Sequence, residues 1–270
     1  MNAFITHFLF DIKVGLRDKT LLLMNYLLPL GFYVMMGLVM TKINPGFAEN
    51  LVQAMTVFAI LAGTALGMPN IIVSGRELGI FRSYKINGVP AISILGIPAL
   101  SGMIHALIVA IIIVITGPLF FGGIRPENLL GFFTVFLAMA IAATGLALLI
   151  GVISKDSRMT VLWSQLLFLP SMLIGGLMMP SNILPASVSF FAKLLPSTYA
   201  MSAFKSLAYN QPTSYNVGGS LAVLFAGGLV SFLLALYLFK WDNSDEVSKF
   251  KKPALALLAL LPYLIGAILL

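Results

Sequence analysis

Long apolar runs, separated by short stretches that hold the charges, make up most of this 270-residue sequence. About twenty residues in an α-helix cross the hydrocarbon core of a bilayer, which is roughly 30 Å thick. Because lipid cannot satisfy open backbone groups, runs of this length are predicted to be helices that span a membrane. Six runs qualify, each bounded by charges or turn residues: 20–40, 51–74, 92–121, 129–153, 159–179 and 218–239.

The low charge content agrees with this interpretation. Only 9% of the residues are charged, whereas a soluble domain carries about 25% to wet its surface. We therefore predict an all-α fold, a polytopic membrane helical bundle with six spans in a transmembrane domain over residues 20–240. Residues 241–270 are predicted to be a cytoplasmic linker and a C-terminal apolar segment. That segment, 253–270, either spans as a seventh helix or lies against the bundle.

Residues 1–19 are predicted to form an amphipathic helix in the inner membrane interface, ahead of the first span. Polar and charged side chains take one face of this helix. The alternative is a cytoplasmic helix that packs on protein. The apolar face of residues 1–19 carries Phe4, Ile5, Phe8, Leu9, Ile12 and Leu16.

The segment 180–216, before the last of the six runs, is apolar although neither half of it is long enough to span. We predict two re-entrant half-helices there, because non-spanning backbone at membrane depth is tolerated only against protein or a cavity. The alternative is an external cap on the bundle.

Lysine and arginine are distributed unevenly between the two sets of alternating connections. One set holds 12 of the 16 basic residues and the other holds 4. Cytoplasmic loops carry the excess of basic residues, so the first set, which includes the N-terminal segment, is predicted to face the cytoplasm. The expected location is a cell membrane, crossed several times, and specifically a bacterial plasma membrane. Topology and attraction to anionic inner-leaflet lipid account for the net charge of +7, and no nucleic-acid partner is expected.

Few side chains in the sequence are candidates for catalysis or metal binding. The sequence has no cysteine and only two histidines, His7 and His105, whereas hydrolysis needs an acid–base pair, a metal site or an activated nucleophile. His105 is the one ionisable group deep in an apolar run, and we interpret it as a hydrogen-bonded packing residue. No catalytic residue, metal site or cofactor is predicted.

The sequence also argues against two modes of transport. All nine acidic residues lie in connections or at the edges of runs, whereas proton-coupled carriers keep carboxylates inside the bilayer. No G-x-x-x-x-G-K-[ST] loop occurs, so these residues do not hydrolyse ATP by that route. If transport is active, ATP hydrolysis is expected on a separate subunit.

The link between the second and third runs, 74–90, is the most informative stretch. Charged and aromatic residues stand between glycines, which is typical of a short surface helix held by two hinges. Such a helix suits the docking of a soluble partner; a solvated loop whose charges set the topology is the alternative. The residues predicted to form this docking site are Gly75, Arg76, Glu77, Gly79, Phe81, Arg82 and Lys85.

In the order of these features, the sequence resembles the permease subunits of ABC-2 type transporters. The link resembles the coupling helix of that family, with the family's glutamate at Glu77 and its glycine at Gly79. Residues 169–196 resemble the fifth span and the external re-entrant pair, and PSTYAMSAFKSL resembles the stretch before the last span. The likeness covers about residues 1–240, and the segment 253–270 departs from it.

The resemblance implies the membrane subunit of an ATP-driven exporter that moves a hydrophobic or amphipathic substrate outward. Its expected partners are a cytoplasmic ATP-binding cassette subunit on the link, a second permease copy or a paralogue, and membrane lipid. Two alternatives stay open: a membrane scaffold or sensor that anchors a soluble partner without transport, and a secondary carrier.

Methionines in spans one, two and five are predicted to line an apolar substrate pathway, because methionine adapts to varied shapes. The alternative interpretation is simple packing between membrane helices. The methionines are Met35, Met36, Met68, Met172, Met178 and Met179.

The predicted orientation can be tested by cysteine labelling, since the sequence has no native cysteine. Single cysteines at Lys85 and Lys155 should resist an impermeant thiol reagent in intact cells, because both positions lie in the basic set of connections. A cysteine at Asn128, on the opposite side, should react. Labelling of position 85 from outside would reverse the assigned orientation.

Overall fold

A computed structural model of the chain describes residues 2–178, 185–213, 215–241 and 251–270. It is 85% helical, and its described residues contain no strand. Five of the described helices are long and apolar enough to cross a membrane. The prediction of an all-α polytopic membrane bundle is confirmed.

The five long apolar helices are α2, α3, α5, α6 and α10, and shorter helices lie between and after them. A 3₁₀ turn, Leu257–Leu260, joins α11 to α12. In chain order the helices are α1 (Asn2–Arg17), α2 (Lys19–Ile43), α3 (Pro45–Glu77), α4 (Ile80–Ile86), α5 (Ala91–Phe120), α6 (Leu129–Ile153), α7 (Ser157–Ile174), α8 (Ala186–Ala192), α9 (Pro196–Ala203, continued as a π-helix over Phe204–Ala208), α10 (Val217–Leu238), α11 (Lys251–Ala256) and α12 (Leu261–Leu269).

Polar caps determine where three of these helices begin. The first turn of a helix leaves backbone N–H groups without intrahelical partners, and a short polar side chain at the N-cap accepts from them. Asn128, Asp156 and Asn216 take this position before α6, α7 and α10. Each accepts from the N–H three residues further along, at 2.9, 2.9 and 3.1 Å respectively.

Two helices differ from the predicted runs. α3 extends beyond 51–74 at both ends, from Pro45 to Glu77. α7 is shorter than 159–179 and ends at Ile174, because the chain turns at Gly176, whose φ of +89° favours glycine. Its 18 residues give a length of about 27 Å. The sixth span therefore stays a prediction.

α3 lies at the centre of the bundle. In its most apolar window 94% of the residues are buried, compared with 28% in α2 and 33% in α5. A helix that is apolar around its whole circumference is buried on every side. The outer faces of α2 and α5, in contrast, carry many exposed large apolar side chains, as expected where lipid is the solvent.

α6 and α10 pack with their backbones in direct contact. A Cβ added to Gly145 would collide with the carbonyl oxygen of Gly228. A Cβ on Gly228 would lie 2.7 Å from the carbonyl carbon of Ile141. Small residues permit such close approach in membranes, where van der Waals packing holds helices together. The two helices form one tightly joined pair.

Two π-helical segments, which the sequence analysis did not predict, face each other inside the bundle. They are Leu23–Leu27 in α2 and Ala62–Gly67 in α3. Asn25 is buried in the first, and its Oδ1 would lie 3.1 Å from a Cβ on Gly63 in the second. π-Bulges occur frequently at functional sites, and this pair lines a cavity described below.

α1 packs on the bundle through one side. His7, Asp11 and Gly15 follow one another at a spacing of four residues, and they are half-buried or buried. Gly15 packs on His105 of α5, where a Cβ would lie 2.5 Å from the imidazole Nε2. The opposite side is exposed and mixes apolar with basic side chains, which are Ile5, Leu9, Leu16, Lys13 and Arg17. The helix therefore packs on protein and still presents apolar side chains to its surroundings.

The segment before α10 is folded against the bundle. Every residue of α9 from Pro196 to Ala203 is buried, whereas Phe190 and Phe191 of α8 are exposed. Asn210 Nδ2 donates to Glu127 Oε2 at 2.6 Å and fastens the end of this segment to the start of α6. Residues 180–184 and 214 of the predicted re-entrant pair lie outside the described residues, and its depth in the membrane stays a prediction.

The apolar segment from α11 to α12 runs antiparallel to α10. Tyr263 is fully buried, and the Tyr199 hydroxyl of α9 donates to its carbonyl oxygen at 3.2 Å. Three pairs of contacts between the segment and α10 keep a constant register, and each places a glycine against a large side chain. The pairs are Gly219 with Leu270, Gly227 with Tyr263, and Val223 with Gly266.

This register has a consequence for topology. The helical rise of residues 251–269, including the 3₁₀ turn, gives a length of about 30 Å, which equals the thickness of the hydrocarbon core. The segment also ends beside Gly219, in the first turn of α10. We therefore predict that 253–270 is a further span.

A cysteine at Leu270 tests this prediction. It should react with an impermeant thiol reagent in intact cells, because the register places residue 270 level with the N-terminal end of α10, which is predicted to be external. Lys240→Cys, at the other end of α10, is the matched control and should stay unlabelled. If position 270 reacts only after permeabilisation, the segment does not cross the membrane.

Candidate functional site

The link between α3 and α5 folds into the short helix α4, bounded by two glycines in the left-handed region. Gly79 has a φ of +70° and Gly88 a φ of +72°. No atom lies within 4 Å of a Cβ added at either position, so glycine is needed there for its backbone conformation and not for space. The predicted short helix with glycine hinges is what the chain forms.

Phe81 anchors α4 to the bundle. Its side chain is 5% exposed, and its ring lies 2.7 Å from the position of a Cβ on Gly75 near the end of α3. The ring of Phe239, directly after α10, is 5.4 Å away between centroids. One aromatic side chain therefore joins the short helix to the C-terminal ends of α3 and α10.

Arg76 is buried in the interior of the protein. Its side chain is 6% exposed, Nη1 donates to the carbonyl oxygen of Val152 at 3.1 Å, and Nη2 donates to that of Ser154. These carbonyls belong to the last turn and the C-cap of α6, where backbone acceptors lack intrahelical donors. The guanidinium therefore fastens the end of α3 to the end of α6.

The outer surface of α4 combines charges with exposed apolar side chains. Glu77, Arg82 and Lys85 are all exposed, and Leu78 and Ile86 are 76% and 80% exposed. Exposed apolar side chains grouped with charges are typical of protein interaction sites. We call the surface formed by these five residues the link surface.

α4 also touches the N-terminal helix. The rings of Tyr84 and His7 meet edge to face, with 5.5 Å between their centroids. The link is thus held from three directions, by α3, by the end of α10 and by α1. Of the seven predicted docking residues, Gly75, Arg76 and Phe81 hold the link in place, Gly79 shapes its backbone, and the other three lie on the link surface.

The methionines predicted for a substrate pathway do not share one environment. Met35 is 46% exposed on α2, whereas Met36 and Met68 are buried in the core. Met172 and Met178 are half-buried against that core, and Met179 lies outside the described residues. A pathway along these residues stays a prediction.

Met68 lines a cavity of about 20 Å³ together with polar side chains. The cavity lies between α1, the two π-helical segments and α5. Its polar lining residues are Asp11, Asn25, Ser101 and His105. Sequence reasoning missed this cluster, since its members come from three helices, and each residue taken alone has an ordinary interpretation.

A sequence profile of the ABC-2 type transporter family matches residues 3–209. The chain belongs to the ABC-2 type transporter family. Searches of curated proteins and of solved structures returned no match. As an ABC-2 family member, the chain is a membrane component of an ABC transporter, and in this family membrane subunits in general pair with ATP-binding cassette subunits.

The matched region of the ABC-2 chain contains the whole link and all of its anchors except Phe239. It ends before α10 and before the apolar segment that packs on α10. The sequence does not show which groups Arg76 contacts, because its two acceptors at the end of α6 lie 76 and 78 residues further along the chain.

In this ABC-2 link Arg76 is buried and Arg82 is exposed, so we expect their removal to have different effects. Arg76→Ala leaves buried carbonyls without a donor, and a hydrogen bond to a charged group contributes about 1.5–3 kcal/mol. We expect a clear fall in the thermal midpoint of the purified protein. Arg82→Ala, the matched control on the link surface, should leave the midpoint within about a degree or two, since exposed substitutions change stability little. Equal effects would contradict the buried role of Arg76.

Proposed function

We propose that this ABC-2 family protein is the transmembrane permease subunit of an ATP-driven exporter, and that the link surface docks a cytoplasmic ATP-binding cassette subunit. The observation that carries the proposal is the construction of α4. Its outer side is exposed and mixed in chemistry, while its inner side is fastened to three other helices. A surface that only set topology would not need such anchoring.

The contacts that hold α4 would transmit movement of the ATP-binding cassette subunit, the motor of the transporter, to the membrane spans. A displacement of α4 acts through Phe81 on α3 and on the end of α10, while Arg76 carries the movement of α3 to α6. ATP-driven closure of the motor then shifts the balance between inward-facing and outward-facing arrangements. The motor biases that balance only through its different affinity for the two states.

The transport pathway is proposed to form between two membrane subunits, either two copies or this chain and a paralogue. The interior of a single chain is closely packed, since α3 is buried on all sides, and the cavity beside it has a volume of only about 20 Å³. The exposed surface of α2, which includes Met35, is apolar. A pathway bounded by such surfaces fits a hydrophobic or amphipathic substrate, moved outward across a bacterial plasma membrane.

Glu77 provides the sharpest test of the docking surface. It is exposed at the end of α3, where its carboxylate is free to meet a basic group of the motor. Such a charge-assisted contact contributes about 1.5–3 kcal/mol. Glu77→Ala should therefore lower transport, or transport-linked ATP hydrolysis, by about tenfold or more with normal expression. The assay uses the complex with the cognate ATPase in proteoliposomes.

Arg125→Ala is the control, because Arg125 is exposed in the connection on the opposite side of the membrane. It should transport at the parental rate. Parental activity of Glu77→Ala would remove Glu77 from the docking surface, and loss of the protein from the membrane would make Glu77 structural. An ATPase that binds the chain without any transport would favour the scaffold alternative.

A further inference from the structure

The cavity beside Met68 has the size and lining of a site for one water molecule. A cavity holds a water when it has at least about 10–15 Å³ of accessible volume and several polar partners. This one has a volume of about 20 Å³, and Asp11, Asn25, Ser101 and His105 line it. The lining residues include no lysine or arginine among those that the structure describes.

His105 brings an unpaired polar atom to this cavity. Its side chain is only 2% exposed, and its Nδ1 lies 2.6 Å from the Tyr26 hydroxyl. Its Nε2 has no hydrogen-bond partner among the residues that the structure describes, although buried polar groups nearly always have one. If Tyr26 donates to Nδ1, the ring proton sits on Nε2, which then needs an acceptor. The cavity is where that acceptor has room to bind.

Asp11 brings a carboxyl group to the cavity from α1. It is half-buried, faces the bundle and lines the same cavity. Burial raises the pKa of Asp11 above its usual value of 3.8, while the nearby Ser101 hydroxyl and the positive charges available to His7 and His105 oppose the rise. α2 and α3 contribute the Asn25 amide and apolar side chains to the lining, and no charged group.

We propose that the cavity is a proton-binding site in which one water bridges Asp11 and His105 Nε2, and in which docking of α1 favours the protonated form of Asp11. The chemistry is a simple acid–base equilibrium. A hydronium ion of bulk water gives its proton to a carboxylate oxygen of Asp11, so that one O–H bond of hydronium breaks, water is left, and the carboxylate becomes a carboxylic acid. The bridging water satisfies Nε2 in both states.

The direction of the pH effect follows from the position of Asp11. Docking α1 transfers the carboxyl from water into a partly buried site, so the docked form binds a proton more tightly than the undocked form. Stability of docking is fully present below pH 3.8 and is lost as the pH rises through the higher pKa of docked Asp11. The protonated site therefore favours docking.

The same equilibrium reaches the link through α1. His7 lies one turn before Asp11 and contacts Tyr84 of α4, so undocking of α1 removes one of the three supports of the link. This consequence, a pH-dependent link, rests on the proposed function. The proton site itself does not, and both of its tests are carried out without ATP or an ATPase.

The first test follows the carboxyl directly by infrared spectroscopy of the purified chain in nanodiscs during a pH titration. The parent should show a protonated carboxyl band that persists to higher pH than those of ordinary acids. Asp11→Asn should lose that band, and Glu49→Gln, which removes an exposed acid, should keep it. A parental band unaffected by Asp11→Asn would overturn the site.

The link between Asp11 and His105 is tested in the same titration with His105→Gln, which keeps a polar side chain but removes the imidazole. Loss of the bridge and of the imidazole charge, which opposes the rise of the Asp11 pKa, should raise the midpoint of the Asp11 band by at least about 0.5–1 pH unit, the equivalent of one hydrogen bond. An unchanged midpoint would show that the two residues are not linked.

The second test measures docking. Spin labels at Lys13→Cys on α1 and Lys155→Cys, after α6, should give one narrow distance distribution at acidic pH and a broad one above the Asp11 midpoint. With Asp11→Asn the narrow distribution should persist at every pH. Gly15→Ala, which places a Cβ against His105, should broaden the distribution at every pH, whereas Gly31→Ala, with open space around it, should match the parent. A pH-independent distance in the parent would contradict proton-linked docking.

Discussion

The burial of α3 is the constraint on which the rest of the structure depends. Because this helix has no lipid-exposed side, it moves only if its neighbours move with it, since closely packed interiors transmit displacement. Its C-terminal end carries the whole link, and the last turn supplies both Gly75 for the Phe81 ring and Arg76 for the end of α6. The link is therefore an extension of the core and not a loop attached to it.

The features that follow from local pattern could be predicted from the sequence. Runs of about twenty apolar residues predict spanning helices because the bilayer has a fixed thickness, and the glycines around α4 predict a turn because they tolerate a positive φ. The resemblance to ABC-2 permeases, carried by the order of these runs and the link, is confirmed by the family match.

The features that depend on contacts across the fold could not be predicted. Arg76 has the same local surroundings in the sequence as a surface arginine, and only the arrival of α6 beside it makes it a buried cap. The sequence places Asp11 outside the apolar runs, and its helix α1 is not one of the five long apolar helices. Packing of Gly15 on His105 then turns that carboxyl toward the bundle. Helical periodicity predicts an amphipathic helix, but it does not say which face meets protein.

The close contact between Gly145 and Gly228 gives the bundle a mechanical property. Since the backbones of α6 and α10 touch, neither lipid nor a ligand has space between them at that level, and the pair tilts as one rigid arm. α10 has 22 residues and is about 33 Å long, so a tilt of about 5° at its C-terminal end displaces the other end by about 3 Å. Small movements near Phe239 are thereby amplified at the opposite end of the pair, beside Asn216 and the start of α10.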